Sequence, residues 1–203
     1  ELSYTNNRDC GAGTVTITGK GNYTGKVEKT FQITPKTPEK DADYKVALPA
    51  ASIYDGKPRE ASVWTRTGVG EVTVWYNDST ALPVCAGTYN VAVEIASSKN
   101  FSTVKRMNIG SFTINKRTIS LETTALKIED KTCNGRDDDA RISGLAFSNL
   151  PEDTALSEGT DYTLSTRYAS AEAGEWDVTV TVTLTNKNYT LEDENCTVKG
   201  KIL

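Results

Sequence analysis

The residues with the clearest chemical potential are short clusters of carboxylates. Tyr54-Asp55-Gly56 places an acid between an aromatic ring and a glycine, an arrangement that suits either an active-site loop or a strand turn. In the triplet Asp137–Asp139, the first and last residues would share one face of a strand and, with backbone carbonyls, offer oxygen ligands to Ca²⁺. The alternative for the triplet is a solvated loop after a turn, since no EF-hand spacing is present.

Composition narrows the chemistry further. The chain has 203 residues, a net charge of −4 and no His, which excludes Ser-His-Asp and Cys-His catalysis and His-ligated zinc. The weak acidity argues against a nucleic-acid partner. No apolar run reaches the roughly 18 residues of a membrane span. Because it begins at Glu1 without Met, we expect the chain to be a mature or truncated segment of a larger protein.

Alternation of apolar and polar residues dominates the secondary-structure signal. In 178–185, Val and Leu alternate with Thr, which is the period of a half-buried antiparallel strand. The stretches 14–18, 72–76 and 89–95 have the same pattern, and Gly- or Asn-rich turns separate them. Many short strands separated by turns predict an all-β fold of β-sandwich domains.

Three blocks of the chain repeat one pattern. Each begins with Ala-Gly (Ala12-Gly13, Ala86-Gly87, Ala173-Gly174), continues as an alternating strand and ends in Asn followed by an aromatic residue. A charged strand follows, and its last three residues, 31–33, 112–114 and 200–202, close the block. The repeat predicts three domains: the C-terminal part of a sandwich at 1–35 and complete sandwiches at 36–114 and 115–203. We expect the apolar face of the first to need a cover.

Specific motifs carry a resemblance to a known family. The sequence from Asn7 to Ile33 resembles the C-terminal half of the immunoglobulin-like repeats, of MBG and related types, of bacterial surface proteins. Ile53–Pro58 resembles the opening of the same repeats. Asp130–Leu150 resembles the opening of a YDG-type repeat, with Cys133-Asn134-Gly135 in place of Tyr-Asp-Gly. The resemblance implies tandem immunoglobulin-like sandwiches, arranged as an elongated row in a secreted or surface-anchored protein.

The comparison of these openings favours a turn over an active site. Tyr54-Asp55-Gly56 and Cys133-Asn134-Gly135 occupy corresponding places, and a catalytic motif is not expected to exchange Tyr-Asp for Cys-Asn. A turn tolerates the exchange, because Asp-Gly and Asn-Gly both reach positive φ. We therefore predict no catalytic residues, no cofactor and no metal, and the resemblance implies no shared set of catalytic residues.

The cysteines are Cys10, Cys85, Cys133 and Cys196. No Cys-x-x-Cys motif is present, and an even count in a secreted β-protein favours disulfides. Cys133 at the start of the third domain and Cys196 in its last strand are the expected pair. Cys10–Cys85 is expected only if the first segment folds back on the second domain, because a bridge needs Cα atoms within about 7 Å.

Aromatic residues offer a second type of site. Trp64, Trp75 and Tyr76 could form a platform for a glycan, although Trp75 and Tyr76 are adjacent and must face opposite sides of a strand. Trp176 matches Tyr89 in the repeat and is expected to be a packing residue. Asn-Lys isopeptide crosslinks, known from bacterial surface sandwiches, would need a Lys, an Asn and an acid buried together.

The leading functional prediction is a non-catalytic spacer or adhesion region of an extracellular or bacterial surface protein. Its partners would then be the neighbouring domains of the parent chain. The alternatives are a module that binds a glycan or a host surface protein, and an accessory region of a carbohydrate-active enzyme.

Overall fold

The computed structural model describes the whole chain, Glu1–Leu203, and confirms the prediction that it is all-β. Nothing helical in it has the length and apolar character to traverse a bilayer. The strands are β1 (Leu2–Thr5), β2 (Gly11–Thr18), β3 (Lys26–Ile33), β4 (Tyr44–Ala47), β5 (Ser52–Ile53), β6 (Ser62–Thr65), β7 (Val72–Tyr76), β8 (Gly87–Ile95), β9 (Val104–Asn115), β10 (Arg117–Glu122), β11 (Lys127–Ile128), β12 (Ile142–Ser143), β13 (Ala146–Ser148), β14 (Tyr162–Tyr168), β15 (Gly174–Leu184), β16 (Tyr189–Leu191) and β17 (Asn195–Ile202).

The first of two compact units comprises Glu1–Ala50, Arg59–Pro83 and Tyr89–Phe112. It contains the sheet β1-β2-β3, the pair β4-β6 and most of the sheet β5-β9-β8-β7. Its core forms where Tyr44 of β4 packs with Val93 and Ile95 of β8, all of them at most 2 % exposed. Because β4 and β8 belong to different sheets, this cluster joins two β layers, as in a β-sandwich.

The second unit comprises Ala51–Pro58, Val84–Thr88 and Thr113–Leu203. It contains the sheets β13-β10-β16 and β14-β15-β17 and the pair β11-β12. Its core forms around Tyr168, Val178 and Ile202, with Ile128 of β11 and Trp176 packed against them. The alternation predicted in β15 is present, since Val178, Val180 and Val182 are fully buried.

The two compact units and the three predicted blocks divide the chain at different residues, and the block boundaries stay a prediction. Residues 36 and 115 both lie inside a unit, and the stretch 36–114 contributes to both units. Strands β8 and β9 each have residues in both units.

The N-terminal sheet β1-β2-β3 has one apolar face and one polar face. Leu2, Ile17 and Val27 are direct cross-strand neighbours, so their side chains share a face. They are 60 %, 50 % and 54 % exposed, and Tyr4 on the same face is 54 % exposed. The expectation that this face lacks a cover within the chain agrees with these exposures.

The structure corrects the register of the repeat in its first block. Gly11 pairs with Ile33, as Gly174 pairs with Ile202, and Thr88 lies beside Thr113. Gly11, Gly87 and Gly174 are therefore equivalent, so the Ala12-Gly13 that seemed to open the first block is two residues too late. Gly13 has a different role: a Cβ there would lie 2.5 Å from Phe31 Cζ.

Candidate functional site

The two motifs at the openings of the repeats form the same turn. Asp55 Oδ1 accepts a hydrogen bond from Lys57 N at 2.9 Å, and Asn134 Oδ1 accepts one from Arg136 N at 3.0 Å. Gly56 and Gly135 have φ of 75° and 74°. In both turns the side chain of Asp55 or Asn134 accepts a hydrogen bond from the backbone two residues later and so stabilises the turn. This is the structural role predicted for Tyr54-Asp55-Gly56.

The acidic triplet is divided among cationic partners. Asp137 pairs with Arg167 at 3.1 Å, Asp138 pairs with Arg136 at 3.1 Å, and Asp139 pairs with Lys131. No group of Cys, Asp or Glu side chains in the chain is arranged to hold a metal ion. The three carboxylates of the triplet therefore belong to an ion-pair network.

Lys131, Asn134 and Asp139 come together in this loop, which is the set of residue types an isopeptide crosslink needs. Lys131 Nζ donates to Asn134 Oδ1 at 3.2 Å, and Asn134 Nδ2 donates to Asp139 Oδ2 at 2.7 Å. Hydrogen bonds from Lys131 and Asn134 hold the pKa of Asp139 below its ordinary value. Asn134 is exposed to solvent, whereas an isopeptide crosslink needs its Lys, Asn and acid buried together.

The expected cysteine bridges are not present in the structure. Cys133 N donates to Leu203 O at the end of the chain. Cys196 lies seven residues before Leu203 and pairs with Val180. Seven strand residues span about 23 Å, far more than the approach of about 7 Å between Cα atoms that a disulfide needs. The register thus separates Cys133 from Cys196, and Cys10–Cys85 is not formed either.

The three aromatic residues of the predicted glycan platform lie on different faces and sheets. Tyr76 is only 3 % exposed, and its hydroxyl accepts a hydrogen bond from Ala61 N at 2.8 Å. Trp75 faces the other side of β7, with the Arg106 guanidinium 4.5 Å from its ring centroid. Trp64 lies on β6 of another sheet and is 53 % exposed. Trp64, Trp75 and Tyr76 therefore present no common aromatic surface.

A polar groove opens on the face of β7, β8 and β9 that carries Trp75. Its volume is about 370 Å³. Ala92, which is 8 % exposed, is a small residue in its lining, and the others are Asn77, Asp78, Asn90, Arg106 and Asn108. Ile109 packs into the core with Tyr44, so its neighbour Asn108 points to the opposite face of β9. The groove is rich in side-chain amides and contains one guanidinium and one carboxylate.

A hydrogen-bond pattern recurs where one block of the chain meets the next. Asn100 Oδ1 accepts from Cys10 N at 2.8 Å, and Asn188 Oδ1 accepts from Ala86 N at the same distance. The backbone carbonyls of the same two Asn residues accept from Lys36 N and Arg117 N, at 3.0 and 2.9 Å. The side chain of the Asn in the Asn-aromatic turn thus accepts one hydrogen bond across each junction, and its main-chain carbonyl accepts one from the beginning of its own block.

Aromatic and polar contacts support the second junction. The rings of Tyr54 and Tyr189 meet edge to face with centroids 5.4 Å apart. Arg117 Nε donates to Tyr54 O at 2.9 Å. The tyrosine of the turn motif therefore packs against the aromatic residue of the following block.

Sequence reasoning did not identify the groove or the junction. Asn90, Arg106 and Asn108 stand at alternate, outward positions of strands, and this polar alternation is the signal that could have found them. The repeated Asn at 100 and 188 was recognised as part of a turn, but its long-range acceptor role depends on the fold. No local pattern in the sequence reports a partner about 90 residues away.

Comparison with known proteins identifies one part of the chain. No curated protein and no solved structure matches it. The resemblance to MBG-type repeats is confirmed for the stretch that includes the first strand pair, the four-stranded sheet and the turn at Tyr54-Asp55-Gly56. Residues 40–118 match the family model of the MBG domain.

Proposed function

We propose that the chain is a non-catalytic spacer region of a secreted or surface-anchored bacterial protein. It would consist of tandem immunoglobulin-like sandwiches, of MBG type in the middle and YDG type at the end, arranged in an elongated row. Such a region would hold another domain of the parent chain at a distance from the cell surface. The match at residues 40–118 supports this proposal, because the MBG domain suggests a surface-protein repeat region.

The observation that carries the proposal is the repeated junction. A spacer keeps its length only if neighbouring repeats cannot bend freely, and flexible linkers between domains are the ordinary expectation. Here Asn100 and Asn188 connect successive blocks through the same side-chain hydrogen bond. Identical fixation at successive junctions is what a spacer of defined length requires, whereas a catalytic or single-ligand function does not depend on it.

Small-angle X-ray scattering of the chain and of the Asn100→Ala/Asn188→Ala variant tests the proposal. We expect an elongated particle for the parent protein and a broader, shorter distribution of interatomic distances for the variant, because its junctions lose their acceptors. The matched control is Asn22→Ala, which removes the Asn of the first block's turn. A compact particle, or a variant with an unchanged distance distribution, would contradict the spacer function.

A further inference from the structure

The groove on β7, β8 and β9 has features that a spacer does not need. We propose that it is a binding site for a saccharide that carries a carboxylate. Its lining combines Asn77, Asn90 and Asn108 with the ion pair of Arg106 and Asp78. The site goes beyond the proposed spacer function, since it would give this region a ligand of its own.

Two of the amides are fixed so that their donors stay available. Asn77 Oδ1 accepts from Asn90 N at 3.0 Å, and Asn108 Oδ1 accepts from Gly110 N at 2.8 Å. With the oxygens bound to the backbone, the Nδ2 groups of Asn77 and Asn108 make no hydrogen bond within the protein. The Asn90 side chain makes none at either end. The groove therefore presents more hydrogen-bond donors than acceptors. The Asn77 and Asn108 amides are already oriented before a ligand binds.

Arg106 adds a cation that a ligand carboxylate can reach. One guanidinium nitrogen, Nη2, donates to Asn77 O and, at 3.0 Å, to Asp78 Oδ1. The Asp78 side chain is 98 % exposed, so solvent screens this pair and a second carboxylate can replace it. The centroid of the Trp75 ring lies 4.5 Å from the guanidinium carbon, and this cation–π contact supports the position of the Arg106 guanidinium. A planar guanidinium with free donors matches the two oxygens of a carboxylate.

The polarity of the groove selects the ligand class. Amide walls without an exposed aromatic face exclude an apolar ligand. A polyphosphate would need several cations, but the groove has one, beside Asp78. Saccharide hydroxyls satisfy the amide donors and also donate to Asn90 Oδ1 and Asp78. A carboxylate on the same molecule supplies the acceptor for Arg106, which completes the match between ligand and lining.

The test is a nuclear magnetic resonance titration of the full chain with acidic oligosaccharides. The probes are trisaccharides of galacturonate, glucuronate and mannuronate, each compared with its carboxyl-reduced, neutral form. We expect at least one acidic trisaccharide to shift the side-chain NH₂ signals of Asn77, Asn90 and Asn108. Its neutral form should bind several-fold more weakly. No shift with any acidic probe, or equal binding of the neutral form, would overturn the proposal.

Variants separate this groove from other surface contacts. Asn90→Ala removes a side chain without protein hydrogen bonds, so folding should be unchanged while affinity falls about five- to tenfold, as expected for one hydrogen bond in a polar site. Arg106→Gln should abolish the preference for the acidic form. Asn22→Ala, an exposed Asn outside the groove, should bind as the parent does. Shifts that persist in both groove variants would show that the ligand binds elsewhere.

Discussion

Lys36 Nζ lies 2.6 Å from Asp43 Oδ2, and the Asp43 side chain is completely enclosed. Glu39 N donates to the same carboxylate oxygen at 3.0 Å, and Arg66 lies 3.6 Å from the other. The corresponding Asp161 of the third block accepts from Ser157 N at 2.9 Å and from Asn186 Nδ2 at 2.7 Å. The Asp before the first Tyr of a block thus closes the same backbone turn with different partners.

Acid should selectively remove the contribution of Asp43. Hydrogen bonds from Lys36 and then from Glu39 N lower its pKa in the folded state. The stabilisation is therefore complete above the unfolded-state pKa of about 3.9 and is lost as the pH falls through the lower folded-state value. We expect Asp43→Asn to lower the urea midpoint clearly at pH 7 and hardly at all in strong acid. A gap for Asp43→Asn that stays constant from pH 7 to strong acid would refute the assignment.

The acceptor at the second junction can be removed by a single substitution. Asn188→Ala leaves Ala86 N without its partner, and an unpaired, partly buried N–H costs about 1–3 kcal/mol. We expect urea unfolding to show a loss in this range. Asn188→Asp keeps an acceptor oxygen and should retain most of the stability. Equal losses for Ala and Asp would mean that the hydrogen bond is not the cause.

Truncation to Ala at two equivalent strand positions should change the free energy of unfolding by very different amounts. Ile17 and Val180 lie six residues after the equivalent Gly11 and Gly174, yet Ile17 is 50 % exposed and Val180 is fully buried. We expect Val180→Ala to cost about 2–3 kcal/mol, because it leaves a cavity, and Ile17→Ala to cost less than about 0.5 kcal/mol. Chemical denaturation measures both. A large loss for Ile17→Ala would reveal that another surface covers the N-terminal sheet in solution.

A glycine in the core of the second unit should not tolerate a side chain. A Cβ at Gly200 would lie 2.8 Å from Ile128 Cγ2 and 2.8 Å from Val178 Cγ2. We expect Gly200→Ala to cost about 1–3 kcal/mol through overpacking. Gly200→Ala combined with Ile128→Leu removes the crowding Cγ2 methyl group, because the Cβ of Leu is unbranched, and should recover part of the loss. Thermal unfolding compares the single and double variants, and the absence of any recovery would place the strain elsewhere.

The thiols should differ in reactivity. Burial raises the pKa of Cys196, whereas Cys133 is exposed and lies 3.5 Å from Ala171 O. Since the thiolate is the reactive form, maleimide should label Cys133 faster than Cys196 in the native protein. Peptide mapping after folding under oxidising conditions should find no Cys133–Cys196 peptide, and a high yield of that peptide would contradict the register of β17.

Local patterns in the sequence predicted the strands and turns well. The Val-Thr alternation gave β15 its buried face, and the adjacency of Trp75 and Tyr76 correctly assigned at most one of them to the core. Trp176 packs against the second core as a repeated packing residue should. These predictions succeeded because side-chain direction in a strand depends only on position along the chain.

Predictions that required a register between distant strands failed. The Ala-Gly motif predicted that Gly13 is equivalent to Gly87 in the repeat. The residue that pairs with Ile33 is Gly11, so Gly11 is the equivalent of Gly87. A shift of two residues keeps every side chain on the same face, so alternation alone cannot detect it. The Cys133–Cys196 pairing failed for a related reason. The segment of Cys133 does lie beside the end of the chain, but it contacts Leu203, just after the last residue of β17, whereas Cys196 lies near the first residue of β17.

The junction is asymmetric in its demand on sequence. In the hydrogen bond that both junctions share, the block that comes first contributes a main-chain N–H, from Cys10 in one case and from Ala86 in the other, while the block that follows must supply the Asn side chain. The identity of the donor residue is therefore free to drift through mutation without loss of the bond. A new block placed upstream by gene rearrangement preserves this hydrogen bond, so selection for the bond acts on the Asn only.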